Sequence, residues 1–585
     1  MILTSTQQDA IKCTDNNLIV ACPGSGKTRT LVAKMLNCIQ DVRNSPHKIA
    51  CLTYTNAAVH EIEYRLRCYG RSGDEDYCDI STIHSFCLIN ILNFFYELIP
   101  EYKSGFTVIP TDCEIYKDNV MQTLDHFKLG SNTYDSLLNL NRQPDGSPCQ
   151  IPDVADKVVI HFWDTLLSKG LMDFPSIVYY TYQILTDYPS VAHSLASKYK
   201  WLLVDEFQDT SALQVEIFRI IAQYEKTKFF LVGDLYQSIF GFAGAFPALL
   251  NEFAEEINAR DNFSLVGNFR CSTYIVEHAE RLCPRSPTME AVGVNADYGV
   301  KPEYVNTDNS FDAITDYFLP ALEEQKIPYG EAAILSPWWF KLFPLAKFLR
   351  EYGIPVVGPG ARPYKRTHLF ASIAEQICAC LVMNSPKIFH QLEKELYLTL
   401  NTLSGQRPFT LYSFEGRLLA LKILRIGRQI MDDQQSGVAW LTEAATAMGQ
   451  ELSQSHLISV ESATILRQSV DDMIGDMKRN NVDIANLTIE DLGLFADTAN
   501  SIKLLTMHKA KGREFEAVAI IDLHDGKVPD FRALRDNDID RIEEGRRLLY
   551  VGITRAKKYL LYATDLEDYR NKPSRFLGND GIGIL

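Results

Sequence analysis

The chain has 585 residues, 46% of them hydrophobic and 23% charged, which fits an ordinary globular protein of several folded units, about four at common domain size. Fifty-eight Lys and Arg against 74 Asp and Glu leave a net charge of −16, which excludes a partner held by bulk attraction to a basic surface; any nucleic acid must follow a local track. The opening MILTSTQQDAIK is no export leader, no run approaches the ~20 apolar residues of a membrane span, and thirteen cysteines without a C-x-x-C pair or zinc-like spacing read as reduced thiols, so a cytoplasmic protein off the membrane is expected.

Taken in chain order, short β-rich runs alternate with helical patterns in two separate regions, as in parallel α/β sheets. The first region has strand-like runs at 18–21, 49–53, 201–204 and 229–232, and the second at 332–335, 518–521 and 559–562. Residues 87–196 and 376–498 lack such runs and carry helical spacing, as at 458–467, which predicts helical insertions. The expected division is 1–86 with 197–270 as one α/β domain, 87–196 as its insertion, 271–375 with 499–585 as the second α/β domain, and 376–498 as its insertion.

The first run leads into Ala21-Cys22-Pro23-Gly24-Ser25-Gly26-Lys27-Thr28. A helix follows with Leu31, Val32, Met35, Leu36 and Ile39 on one face, the setting that a phosphate-binding loop requires. Glycines let backbone N–H groups converge on phosphate oxygens, Lys27 reaches the β and γ phosphates, and the Thr28 hydroxyl ligates Mg²⁺. ATP and Mg²⁺ are therefore the expected cofactors, with Ala21 standing where the general pattern has its first glycine. The run at 201–204 delivers Asp205-Glu206-Phe207-Gln208-Asp209-Thr210 at a strand end: Asp205 can hold Mg²⁺ through water, and Glu206 can polarise the attacking water. An acidic run is more often a solvated turn, but an apolar strand ending in adjacent carboxylates beside a phosphate loop favours chemistry. The run at 229–232 ends in Gly233-Asp234, with Gln237 three residues on, placed to sense the γ-phosphate. Arg270 and Arg555 are candidates for the positive charge that phosphoryl transfer needs, although either alone reads as a surface salt bridge.

Single-strand binding without sequence preference needs aromatic faces and phosphate donors rather than a basic whole, and Tyr54, Phe240 and Phe242 are the candidate faces. His84 beside Ser85 has no identifiable acidic orienter, which argues against a hydrolase triad.

The order of these segments resembles the motif set of the UvrD/Rep/PcrA-like superfamily 1A DNA helicases across both α/β cores, with little likeness in the insertions. The resemblance implies two RecA-like parallel-sheet motor domains (1A and 2A), each with a mainly helical insertion (1B and 2B). It also implies ATP hydrolysis between the two cores and 3′-to-5′ movement on single-stranded or 3′-tailed DNA. By the same resemblance Gln7 reads adenine, Phe269 stacks on it where tyrosine is usual, Arg29 lies near the nucleotide, and Glu514 binds ribose. Tyr54, Thr55, Asn56, Thr82 and His84 contact DNA from the first core, and His508 and Lys511 from the second. Residues 240–245 read Phe-Gly-Phe-Ala-Gly-Ala, with Ala243 where the family has an ion-pairing arginine, which implies weaker coupling of DNA to the γ-phosphate. Compact size also resembles the helicase-like subunit of Gabija-type anti-phage systems. The alternative expectation is thus a DNA-sensing ATPase that regulates a partner nuclease and unwinds little on its own. A fused nuclease is not expected, since no further domain follows the last motif.

Overall fold

Strands whose two faces are both buried set the architecture. The computed structural model describes all residues except 1–2, 112–113, 131–132, 139, 150–153, 240, 242–247, 359–361, 363, 366–367, 384–385, 405–412, 434–435, 480–483, 497–498 and 567–571. The first sheet contains β1 (Asn17–Ala21), β2 (Lys48–Thr53), β3 (Cys78–Thr82), β4 (Tyr199–Val204), β5 (Lys228–Gly233) and β6 (Arg260–Leu265). Their order is β3-β2-β4-β5-β1-β6 with every pair parallel. Alternation along each strand sends Leu18, Leu202, Val204, Phe229 and Leu231 to one core and Ile19, Trp201, Leu203, Phe230 and Val232 to another. Helix α1 (Ser5–Lys12) precedes the sheet, and α2 (Lys27–Val42) and α3 (Asn56–Tyr69) cover the second face through Leu31, Val32, Met35, Ile39, Ile62 and Leu66. The first face packs on Phe86, Ile177, Ile184, Leu185 and Leu195.

The second sheet contains β7 (Glu303–Thr307), β8 (Ala332–Ser336), β9 (Val356–Val357), β10 (Ile502–Thr506), β11 (Phe515–Ile520) and β12 (Ala556–Asp565), again all parallel, in the order β7-β12-β11-β8-β10-β9. The fold class expected from the sequence is thus the one observed. Between β3 and β4 the described residues are mainly helical, with one two-residue parallel pair, Thr107–Val108 on Leu171–Met172. Between β9 and β10 they are helical without a strand, gathered around Trp440, whose indole N–H donates to the Gly427 carbonyl at 2.9 Å.

Two compact units result, residues 1–299 with 539–550, and 300–538 with 551–585. Residues 271–299 pack within the first unit. The reason is local bonding: Gly267–Asn268 pairs with Glu290–Ala291, the Thr273 N–H donates to the Ala296 carbonyl at 3.1 Å, and Asn295 Nδ2 donates to the Arg270 carbonyl at 2.8 Å. The helix Ile539–Ile553 begins in that unit, where Arg547 Nε donates to the Ser238 carbonyl at 2.7 Å and Glu544 Oε1 accepts the Gly241 N–H at 2.9 Å. No described helix is long and apolar enough to cross a membrane, and the twelve described cysteines are free thiols.

Candidate nucleotide site and nucleic-acid contacts

The turn from β1 into α2 is held open by glycine. Gly24 (φ 68°) and Gly26 (φ 83°) are left-handed, and a Cβ on Gly24 would fall 2.7 Å from Arg270 Cβ and 2.9 Å from Asn268 Oδ1. Gly26 caps α2, so the sixteen-residue helix opens on Lys27 and Thr28 with its N-terminal N–H groups towards the loop. Ala21 is buried at the end of β1, where a methyl group fills the core and glycine is not needed. Cys22 and Pro23 are buried as well. The Cys22 N–H donates to the Leu265 carbonyl at 3.0 Å, and burial pushes its thiol up to about 12. Ser25 Oγ donates to the Cys22 carbonyl at 2.7 Å and closes the turn, while Arg29 is exposed on the first turn of α2.

Gln7 lies against this loop. Its Oε1 accepts the Thr4 N–H at 2.9 Å in a capping box on α1, and its Nε2 donates to the Ser25 carbonyl at 3.0 Å.

The carboxylates stand at the end of β4. Asp205 is buried, its N–H donating to the Leu52 carbonyl at 2.8 Å; burial, then the charge of Glu206, push its carboxyl up to about 7. Glu206 adopts a left-handed backbone (φ 51°, ψ 41°), uncommon outside glycine and asparagine. Its Oε1 lies 3.8 Å from Lys27 Nζ and its Oε2 accepts from Gln208 Nε2 at 2.5 Å. Gln208 Oε1 accepts the Asp234 N–H at 2.9 Å, and Asp234 Oδ2 accepts from Gln237 Nε2 at 2.6 Å. Lys27, Glu206, Gln208, Asp234 and Gln237 are therefore one connected set. The Thr28 hydroxyl and the buried Asp205 carboxylate, whose pKa its surroundings raise, are oxygen donors of the kind a hard dication such as Mg²⁺ takes, and its charge would favour the ionised acid.

On the other side of the loop the Phe269 N–H donates to the Gly24 carbonyl at 3.0 Å and its ring is 42% exposed. Asn268, buried, accepts the N–H groups of Arg270 and Cys271, both at 2.8 Å, and so aims Arg270 beside the loop. Gln208 stands in the 205–210 run with no role of its own there, and neither Asn268 nor Arg285 is marked by any pattern in the sequence.

Arg555 and Glu514 belong to the second unit. Arg555 is buried, with Nε donating to the Val551 carbonyl at 2.9 Å, Nη1 to the Arg513 carbonyl at 3.1 Å and Nη2 to Thr554 Oγ1 at 3.1 Å; Glu514 is exposed, with Oε1 3.3 Å from Lys557 Nζ.

The DNA candidates fall in two places. Strands β2 and β3 run side by side with Thr53 opposite Thr82, so Tyr54, Thr55 and Asn56 emerge next to Thr82 and His84. Thr55 caps α3 and Thr82 caps α4 (Ile83–Cys87), while Tyr54 is 36% exposed. His84 meets Phe174 edge-on at 5.3 Å, and burial pushes its imidazole down to about 4. In the second unit Thr506 caps the short helix Met507–Ala510, which carries His508 and ends at Lys511. Burial, then the charges of Lys511 and Lys509, push His508 down to about 4. Both histidines are thus neutral at physiological pH and offer hydrogen bonds, not charge. Phe240 and Phe242 lie outside the described residues.

Among the described residues one further metal-competent set comes together in the second unit: Asp522, His524 and Asp565, all buried, with candidate ligand atoms within 4.8 Å of one another. The Lys527 ammonium donates to Asp522 Oδ1 there, so the set already contains its own cation.

A glycine-held loop at a strand-to-helix turn, linked through a lysine to carboxylates at the end of a neighbouring strand, defines a P-loop nucleoside triphosphatase. Residues 3–258 match the UvrD/REP helicase N-terminal domain and residues 387–565 the UvrD-like helicase C-terminal domain. The chain is similar to the ATP-dependent DNA helicase PcrA of Staphylococcus aureus, 24% identical over 98% of this chain and 86% of that protein, and to PcrA of Staphylococcus epidermidis, 25% identical with the same coverage. A probable DNA helicase II homolog of Mycoplasma genitalium is 23% identical over 98% of this chain and 87% of its own. The chain belongs to the UvrD-like helicase family, and its enzymatic class is that of a DNA-dependent ATPase of helicase type.

Proposed function

We propose that this protein is a single-stranded-DNA translocase and helicase that moves 3′ to 5′ and is driven by ATP hydrolysis. The connected set from Lys27 through Glu206, Gln208 and Asp234 to Gln237 carries the reading, because it joins the phosphate-binding lysine, the proposed base and the proposed γ-phosphate sensor by direct contacts. In this reading the loop 21–28 cradles the phosphates, with Arg29 beside them, Phe269 and Gln7 take the adenine, and Glu514 takes the ribose. Glu206 accepts the proton of the water that attacks the γ-phosphorus as the bond to the bridging oxygen breaks. Lys27, Arg270 and Arg555 balance the charge on the transferring group. Thr28 and Asp205 would hold Mg²⁺, which supplies further positive charge on the phosphate oxygens. Tyr54, Thr55, Asn56, Thr82, His84, Phe240, Phe242, His508 and Lys511 line the path of the strand. The four-part division into 1A, 1B, 2A and 2B and a cytoplasmic location belong to the same reading.

Ala243, in place of the family's arginine, favours a second reading in which ATP turnover reports DNA to a partner nuclease and drives little unwinding. The test is ATP turnover with and without single-stranded DNA, followed by unwinding of duplexes with a 3′ or a 5′ tail. Stimulation with unwinding of the 3′-tailed duplex alone supports the helicase. Stimulation without unwinding moves the assignment to the sensor, and absence of stimulation removes both.

A further inference from the structure

Arg285 matches no motif, yet its side chain, 8% exposed in the loop after the helix Thr273–Leu282, is bound on both sides by its surroundings. Its Nη2 donates to Asp234 Oδ1 at 3.0 Å and to the Tyr550 hydroxyl at 2.6 Å, and its guanidinium lies 4.8 Å from the Tyr236 ring centre. Asp234 is fully buried. Its Oδ1 also accepts the Tyr236 N–H at 3.1 Å, and its Oδ2 accepts from Gln237. We propose that Arg285 is a positioning residue for Gln237: by holding Asp234 as a buried carboxylate it dictates which end of the Gln237 amide enters the reaction. The inference rests on the role given to Gln237 above.

An ionised carboxylate can only accept hydrogen bonds, so the amide must turn its NH₂ to Asp234, which leaves the second N–H for a γ-phosphate oxygen and the carbonyl for the attacking water. A neutral partner at 234 could donate as well as accept, and the amide could then turn round and offer the water a donor where an acceptor is needed. A buried carboxylate without a cation is costly, and arginine is the one side chain that stays charged in such a place and forks to two partners. The other groups around it are Tyr236, Tyr550, Cys22, Cys283 and, 3.6 Å from Arg285 Nε, Glu280. Burial pushes the Cys22 and Cys283 thiols up to about 12 and the Tyr550 phenol well above its ordinary value, so among these groups Glu280, at the Nε edge, is the anion that shares the guanidinium with Asp234. Tyr550 sits on the helix that Glu544 and Arg547 fasten to Gly241 and Ser238, so Arg285 adds a cationic tie between the Gln237 loop and that helix.

The experiment measures kcat and KM for DNA-stimulated ATP hydrolysis, with Tm, in the full chain for R285M, R285K, D234N, R285M/D234N, Q237A and the Arg285 variants combined with Q237A. R285M should lower kcat by about 10- to 100-fold with KM for ATP within about threefold, and R285K should recover part of the loss. In the Q237A background R285M should cost less than about twofold, because a residue acting through Gln237 has nothing left to act on. R285M/D234N should regain part of the lost Tm, since the buried Asp234 charge is gone and only Glu280 loses its cation, but not kcat. A full additional loss in the Q237A background, or recovery of kcat in R285M/D234N, overturns the inference. If R285M does not fold, the same comparison with R285K decides. A Q237A protein with wild-type kcat would instead remove the role of Gln237 from the proposed function.

Discussion

The two units hold their chemical side chains in different ways. In the first, Lys27, Glu206, Gln208, Asp234, Gln237 and Arg285 are bonded to one another from four separate stretches of chain, and their charges are answered inside the set. In the second, Arg555 is fixed by a carbonyl and a hydroxyl of its own turn and by the Arg513 carbonyl, and Glu514 by Lys557, all at the neighbouring starts of β11 and β12. A change in the first unit should therefore spread through its neighbours and be non-additive, whereas a change in the second should stay local.

The strongest way to break that contrast is at the centre of the network: K27A or E206Q should lower DNA-stimulated ATP turnover by at least about 10²–10⁴-fold, measured at saturating single strand. Turnover within a few-fold of wild type would end the assignment of roles. R555K should cost at least about a hundredfold in kcat, and its effect should multiply with that of a first-unit variant such as Q237A. Among the DNA candidates, K511A should reduce the slope of log affinity against log salt by about 0.7, as one lost phosphate contact on a single strand does, while H84N and H508N leave the slope unchanged. The same two histidines make stability depend on pH. Their folded values are depressed to about 4, so the unfolded chain takes up protons first, and stability present above about 6.5 is lost as pH falls towards 4. Thermal melts across that range should show a shallower decline in H84N than in wild type. The smallest effect is T4A, which removes the cap of α1 and should cost ~1 kcal/mol in chemical denaturation.

How much of this was readable in advance follows from burial. Strands β1, β2, β4 and β5 are buried on both faces and appear as continuous apolar runs, whereas β3 is largely half-buried, β7 is partly exposed, and Lys503 interrupts β10, so none of these gave a run. The placement of 271–299 with the first unit depends on backbone bonds and a two-residue strand pair that leave no periodic trace. The nucleotide site was legible where its residues are contiguous, as in 21–28 and 205–210. Arg285 was not, because its partners Asp234 and Tyr550 lie 51 and 265 positions away and a lone arginine carries no spacing.

The left-handed backbone at Glu206 has a meaning for how this position can change over generations. Its conformation is one that glycine or asparagine adopts with less strain, while its chemistry asks for a carboxylate on a longer stem. A gain in foldability and a loss of turnover therefore point at the same codon. A population selected for stability alone should drift to glycine or asparagine there, and only selection for ATP turnover should hold the glutamate in place.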